Sequence, residues 1–262
     1  METFRKSRAG APDGFFACEA AGLRWLPVPG GPRVAQVLDV GTSYLELERL
    51  EPVAPTPPAA RSFGRALSTL HDAGASAYGA GPPGFEDGGF FGPLDDPLPM
   101  AGGSWADWPT FYAAARLRPV VEQGRERGVL DAGDAALAER VCGRLPGLAG
   151  PSADEPPARL HGDLWSGNVL WARSGDDGGA EAVLIDPAAH GGHRETDLAM
   201  LALFGAPHLG EILAGYQERH RLTRGWQQRV RLHQLYPLAV HAVLFGGGYV
   251  AQTRRLLAEL AG

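Results

Sequence analysis

The sequence predicts an α+β protein of two lobes, a small strand-rich front and a larger, mainly helical back. Three observations predict it. Leucine and glutamate alternate in SYLELERL, residues 43–50, with the period of a half-buried strand. A proline-rich break, EPVAPTPP, follows at residues 51–58. Beyond it the apolar spacing is helical almost throughout, interrupted by one strand-loop-strand insert. The lobes are accordingly read as residues 1–50 and 51–262.

In order, a short strand opens the chain, and GFFACEAAGLRWL then places Phe16, Ala20, Leu23 and Leu26 near helical spacing. RVAQVLDV reads as the antiparallel neighbour of SYLELERL across a GT turn. Pro57 and Pro58 suit the first turn of a helix that RSFGRALSTLHDAG continues, because proline has no N–H to lose there. The Gly-Pro-rich stretch 79–103 reads as loop, and WADWPTFYAAARLRPVVEQGRERG and DAGDAALAERVCGRL as helices, followed by a loop GPSADEPP. ARLHGD, NVLWAR and AEAVLID read as strands, the last two joined by the turn SGDDGG. From Glu195 onward ETDLAMLALFG, EILAGYQERH, QQRVRLHQLYPLAVHAVLFG and QTRRLLAEL are helical. PGGP at residues 29–32 is a turn, GGG at 246–248 a helix break or cap, and residues 218–224 a solvated helix end.

Hydrophobic content of 44% with 21% charged residues is that of a globular chain. A net charge of −6 argues against nucleic acid or an anionic membrane as partner. Cys18 and Cys142 lie far apart without CxxC spacing, so reduced, buried thiols are expected rather than a disulfide. No basic-then-apolar leader and no run of about eighteen apolar residues occurs, so a cytoplasmic location is expected.

The chemistry concentrates in HGDLWSGNVLW, residues 161–171, and LIDP, residues 184–187. Phosphoryl transfer needs a carboxylate to take the proton of the attacking hydroxyl, and hard oxygen ligands for a Mg²⁺ that bridges the leaving phosphates. Asp163 meets the first need. Asn168, five residues on, and Asp186, at the end of the next hairpin, meet the second. His161, two residues before the base, is read as holding the loop by hydrogen bonds, and Asp197 as opening a helix. His161, His190 and His193 are a weaker match to zinc, since their surroundings are glycine-rich and Mg²⁺ already explains the oxygens.

One composition detail stands apart. Lys6 is the only lysine among 24 basic residues. A lysine is a compact point charge and arginine a wide planar fork, so a retained lysine suggests a site shaped for it.

HGDLWSGN, IDPAAHGGHRETDLAM and LYPLAVHAVLFGGGY resemble the fructosamine 3-kinases, or ketosamine kinases, over most of the chain. These share the two-lobe protein-kinase-like fold with the aminoglycoside phosphotransferases. The resemblance implies ATP as donor and the 3-hydroxyl of a ketoamine as acceptor, either a small molecule or a glycated protein side chain; the unstable product sets the amine free, which is deglycation. It implies that Lys6 contacts the α- and β-phosphates, that Glu19 pairs with it, and that backbone groups of Glu48, Arg49 and Leu50 read adenine. Trp165 resembles the family's sugar-facing tryptophan, with core packing as the other reading, and His241 is either a pocket residue or a satisfied core histidine. Those kinases carry a glycine-rich hairpin ahead of the lysine strand, which six residues cannot supply, so a truncated N-terminal lobe is expected. Two other readings stay open, an aminoglycoside- or choline-type phosphotransferase and a non-catalytic nucleotide-binding protein.

Overall fold

The computed structural model describes residues 2–175 and 178–262. Its front lobe runs through strand β1 (Thr3–Ser7), helix α1 (Phe15–Trp25) and strands β2 (Arg33–Val34), β3 (Val37–Val40) and β4 (Tyr44–Glu48). β4 lies between antiparallel β1 and β3. Leu45 and Leu47 of β4 are buried against Phe16, Ala20 and Leu23 of α1, as the alternation requires. Lys6 is in register with Leu45, so its side chain shares the face that α1 covers.

RVAQVLDV does not form one strand. Only Val37–Val40 pairs with β4, with a register shift between Val37 and Asp39. Arg33 and Val34 turn away and pair in parallel with a strand of the other lobe. Alternation shows which face a strand buries; it does not show which neighbour it joins.

The linker leads into α2 (Pro57–Asp72), where Thr56 caps the N-terminus by accepting the Ala59 N–H. The stretch 79–103, read as loop, contains an antiparallel hairpin of β5 (Gly88–Phe91) and β6 (Leu98–Ala101). Glycines and Pro99 hide its strand pattern, yet Phe91, Leu98 and Met100 are buried. Helices α3 (Trp108–Phe111) and α4 (Arg118–Glu126) are joined end to end by a π-helical segment, Tyr112–Leu117. Pro119 has no N–H for the Ala115 carbonyl, and the Arg116 guanidinium donates to that carbonyl instead, at 2.8 Å. α5 (Ala132–Ala149) begins with a capping box between Asp131 and Asp134. GPSADEPP contains a short 3₁₀ turn, Gly150–Asp154.

Strands β7 (Ala158–Leu160), β8 (Val169–Arg173) and β9 (Ala180–Leu184) follow as expected; the central Asp176 and Asp177 of the SGDDGG turn lie outside the described residues. An unpredicted strand, β10 (His190–Gly192), pairs with β7. β2, β9 and β8 form a sheet shared by both lobes. Helices α6 (Arg194–Leu203), α7 (Leu209–Arg219), α8 (Trp226–Phe245) and α9 (Gly248–Ala261) complete the back lobe, with Gly246 and Gly247 at positive φ between the last two. α2 and α7 cross at two glycines: a Cβ on Gly64 would lie 2.0 Å from the Ile212 carbonyl oxygen, and one on Gly215 2.0 Å from that of Arg61. Glu218 is no idle helix end, because it pairs with Arg61 and Arg65 across this crossing. Within α8 the Tyr112 hydroxyl donates to the Leu232 carbonyl at 3.0 Å and accepts from the Tyr236 amide at 3.1 Å, one residue before Pro237. No helix among the described residues is long and apolar enough to cross a membrane.

Candidate active site

The loop between β7 and β8 is held from beneath. Asp197, at the start of α6 and fully buried, accepts the backbone N–H groups of His161 at 2.8 Å and Gly162 at 3.0 Å. His71 Nε2 lies 3.2 Å from the same carboxylate, and Tyr216 fixes the other side of that ring. Burial works against the ionised Asp197, but His71, His161 and the loop amide outweigh it and keep its pKa low. The His161 ring bridges the two halves of the site: Nε2 meets the Ile185 carbonyl at 2.8 Å, which leaves Nδ1 to accept the Asp163 N–H at 3.3 Å. At Gly162, φ is +83°, and a Cβ would lie 2.0 Å from the Ala188 carbonyl oxygen, so only glycine fits.

These supports bring Asp163, Asn168 and Asp186 together. Asn168 Nδ2 donates to the Asp163 carbonyl at 2.8 Å, to Asp163 Oδ2 at 3.1 Å and to the Asp186 carbonyl at 3.4 Å. Its NH₂ is thus turned inward, and its amide oxygen together with the Asp186 carboxylate makes a pair of hard oxygen donors. That chemistry fits Mg²⁺. Asp186 adopts a left-handed backbone, φ 51°, which directs the chain out of β9. Burial, and then the neighbouring Asp186 charge, push the Asp163 carboxyl up to about 7.

From the front lobe Lys6 Nζ reaches Glu19 Oε2 at 2.9 Å and Asp186 Oδ1 at 3.1 Å. Burial disfavours the ammonium, but the two carboxylates outweigh it and raise the Lys6 pKa. Burial likewise pushes the Glu19 carboxyl up, and Lys6 opposes it. An ammonium in contact with two carboxylates is a charged cluster, with the cation as its centre.

The same residues face a cleft of about 510 Å³. α1, residues Phe90–Leu94 of the β5–β6 hairpin, and the rings of Trp165, Phe204, His241, Phe245 and Tyr249 all line it. Trp165, 40% exposed, and His241 are therefore both cleft residues rather than core filler. Glu48, Arg49 and Leu50 are not among the residues lining this cleft. The Glu48 amide donates to the Gln36 carbonyl and the Arg49 amide to that of Glu2, while the Glu48 carboxylate pairs with Arg33. Sequence reasoning missed Phe90, Phe204, Phe245 and Tyr249. Helical spacing from His241 would have found Phe245, four residues on, but nothing in the hairpin's pattern pointed to Phe90.

The histidines weighed for zinc do not converge. His161 binds the Ile185 carbonyl, His190 that of Ala188 and His193 that of Ser152. His193, Glu195 and His233 are close together and buried, but Glu195 already takes a two-pronged contact from Arg229. Cys142 is buried, Cys18 half-buried, and both are free thiols.

The model of the fructosamine kinase family matches residues 2–261. A provisionally named ketoamine kinase of Synechocystis is 34% identical over 252 residues, covering 93% of this chain and 78% of that protein. One from Enterococcus faecium is 31% identical, covering 97% and 86%. The crystal structure of a provisionally named fructosamine-3-kinase from Thermobifida fusca superposes with a TM-score of 0.87 at 45% identity, covering 99% of this chain and 85% of that one. An aminoglycoside phosphotransferase in complex with ADP and hygromycin B shares the fold, with a TM-score of 0.56 at 18% identity.

Proposed function

The chain belongs to the fructosamine kinase family and is a kinase with the two-lobe phosphotransferase fold, and from that premise we propose that it transfers the γ-phosphoryl group of ATP to the 3-hydroxyl of a ketosamine. One observation carries the reading: Lys6, Glu19, Asp163, Asn168 and Asp186, drawn from both lobes, face one cleft.

Asp163 accepts the proton as the hydroxyl oxygen forms its bond to phosphorus and the bond to ADP breaks. A carboxyl lifted to about 7 by burial is well matched to taking a proton near neutral pH. Asn168 and Asp186 would hold Mg²⁺, which neutralises charge on the phosphates when bound. Lys6 braces the α- and β-phosphates, and Glu19 keeps its ammonium in place. Trp165 lies against the sugar. Phosphorylation at the 3-position makes the adduct labile and releases the amine, so the reaction reverses glycation of a small amine or a protein side chain.

The test is ADP release with Mg-ATP and a small fructosyl or ribulosyl amine, comparing the parent with Asp163→Asn. Turnover that falls by about 10²-fold or more in a variant with unchanged circular dichroism supports the reading. Equal turnover of the folded variant overturns the role of Asp163. No turnover with any ketoamine, but turnover with an aminoglycoside or choline, moves the acceptor class.

A further inference from the structure

We propose that the nitrogen substituent of the ketoamine leaves the cleft along a ladder of rings, Phe204, His241, Phe245 and Tyr249, so that the enzyme favours ketoamines bearing an apolar or aromatic group on nitrogen over those with a carboxylate beside it. The inference rests on the ketoamine kinase reading and specifies its acceptor.

The rings form a connected series. Trp165 meets Phe204 with centroids 6.2 Å apart, Phe204 meets His241 at 4.7 Å, and His241 meets Tyr249 at 5.2 Å and Phe245 at 5.4 Å. The series starts in the catalytic loop and ends where α8 gives way to α9. Packing alone does not explain its outer end. Phe245 is 56% exposed, and it and Trp165 are two of the four large hydrophobic side chains left exposed among the described residues. Exposed apolar surface gathered at one mouth marks a place that something apolar covers.

Charge points the same way. The only cation lining the cleft among the described residues is Lys6, which two carboxylates already hold. Burial lowers the His241 pKa, so that ring is neutral, and its Nδ1 is spent on the Pro237 carbonyl at 2.8 Å. A carboxylate entering beside the rings finds no positive side chain free to meet it and faces Asp163, since Lys6 is held by Glu19 and Asp186. A ketoamine nitrogen is protonated near neutral pH, and it gains from the Asp163 carboxylate and from the ring faces. Only the chain bonds between the sugar's third and first carbons separate that nitrogen from the reacting hydroxyl, so its substituent starts near Asp163, within reach of the ring series that begins at Trp165 in the same loop.

The experiment compares kcat/KM for the fructosyl adducts of benzylamine and glycine, at saturating Mg-ATP, in the parent and in Phe245→Ala. Phe245 is exposed, so its truncation leaves the core packing in place. The expected result is a preference for the benzylamine adduct of about tenfold, carried by KM, that shrinks to about twofold in the variant. Equal or better use of the glycine adduct by the parent overturns the ladder while leaving the kinase reading intact. A preference that Phe245→Ala and Tyr249→Ala both leave unchanged also overturns it. ADP release with neither adduct, nor with any ribulosyl amine, removes the underlying reading as well.

Discussion

Lys6 and Glu19 meet across the front lobe with Nζ 3.0 Å from Oε1 and 2.9 Å from Oε2. The lysine gets there because its strand position opposite Leu45 faces α1, and the glutamate because α1 buries that side. A third oxygen, from Asp186, closes the cluster.

This geometry predicts that Lys6→Arg is not a conservative change. The space between three carboxylate oxygens fits a point charge on a thin stem, and a planar guanidinium would have to push Glu19 or Asp186 aside. Lys6→Arg should lower kcat/KM for ATP by about tenfold or more, and Lys6→Ala by about 10²-fold or more, with unchanged far-UV circular dichroism. Steady-state ADP release at varied ATP measures both.

Asp197 predicts a pH dependence of stability. Its pKa is held below that of an unfolded aspartate, so the stabilisation it contributes is present above the unfolded value, about 4, and is lost as pH falls through the lower folded value. Asp197→Asn should lose about 2 kcal/mol or more at pH 7 by weakening three hydrogen bonds to a charged acceptor. Urea titrations of parent and variant at pH 7, 5 and 3 should show that gap narrowing only at the most acidic point.

At the α2–α7 crossing, helix propensity and packing oppose each other. Gly64→Ala gains about 1 kcal/mol of propensity. The added methyl meets a backbone carbonyl oxygen, which cannot move without separating the helices, at a cost of about 3 kcal/mol or more. Gly64→Ala and Gly215→Ala should therefore both lower the thermal midpoint by several degrees, and the double variant should lose less than the sum because one displacement relieves both.

Tyr112→Phe removes a hydroxyl that serves two backbone groups inside α8. Unless the helix closes over the gap, the Leu232 carbonyl and the Tyr236 amide are left buried without that partner. The expected loss is about 1–3 kcal/mol, read as a lower urea midpoint at constant slope.

The sequence made the chemistry more legible than the walls around it. Asp163, Asn168 and Asp186 stood out because the proposed phosphoryl transfer calls for those atoms at that spacing, and Lys6 because every other basic residue is arginine; the fold gathers all four on one cleft. His161 is read as holding the loop and Asp197 as opening a helix, and both bind the loop backbone. The β5–β6 hairpin was hidden because glycines that permit close approach, such as Gly88 beside the Met100 carbonyl, are the same residues that mark loops. The π segment was hidden because apolar spacing does not tell a backbone N–H that bonds five residues back, as Arg118 does to Ala113, from one that bonds four. The Arg33–Val34 strand was misplaced because period two is blind to partner choice.

That last strand limits how the molecule can breathe. The front lobe is fastened to the back through β2 on β9, through the linker, where Pro52 bridges Ala172 and the Val53 amide meets the Trp171 carbonyl on β8, and through α1, whose Trp25 carbonyl accepts from Arg159 and whose Phe15 ring meets Phe90. A sheet, a linker and a helix that all cross the same seam tie the two bodies down along its length. Lys6 stands on the front side of that seam and Asp163 on the back, so the packing along it sets the gap that the proposed phosphate site would occupy.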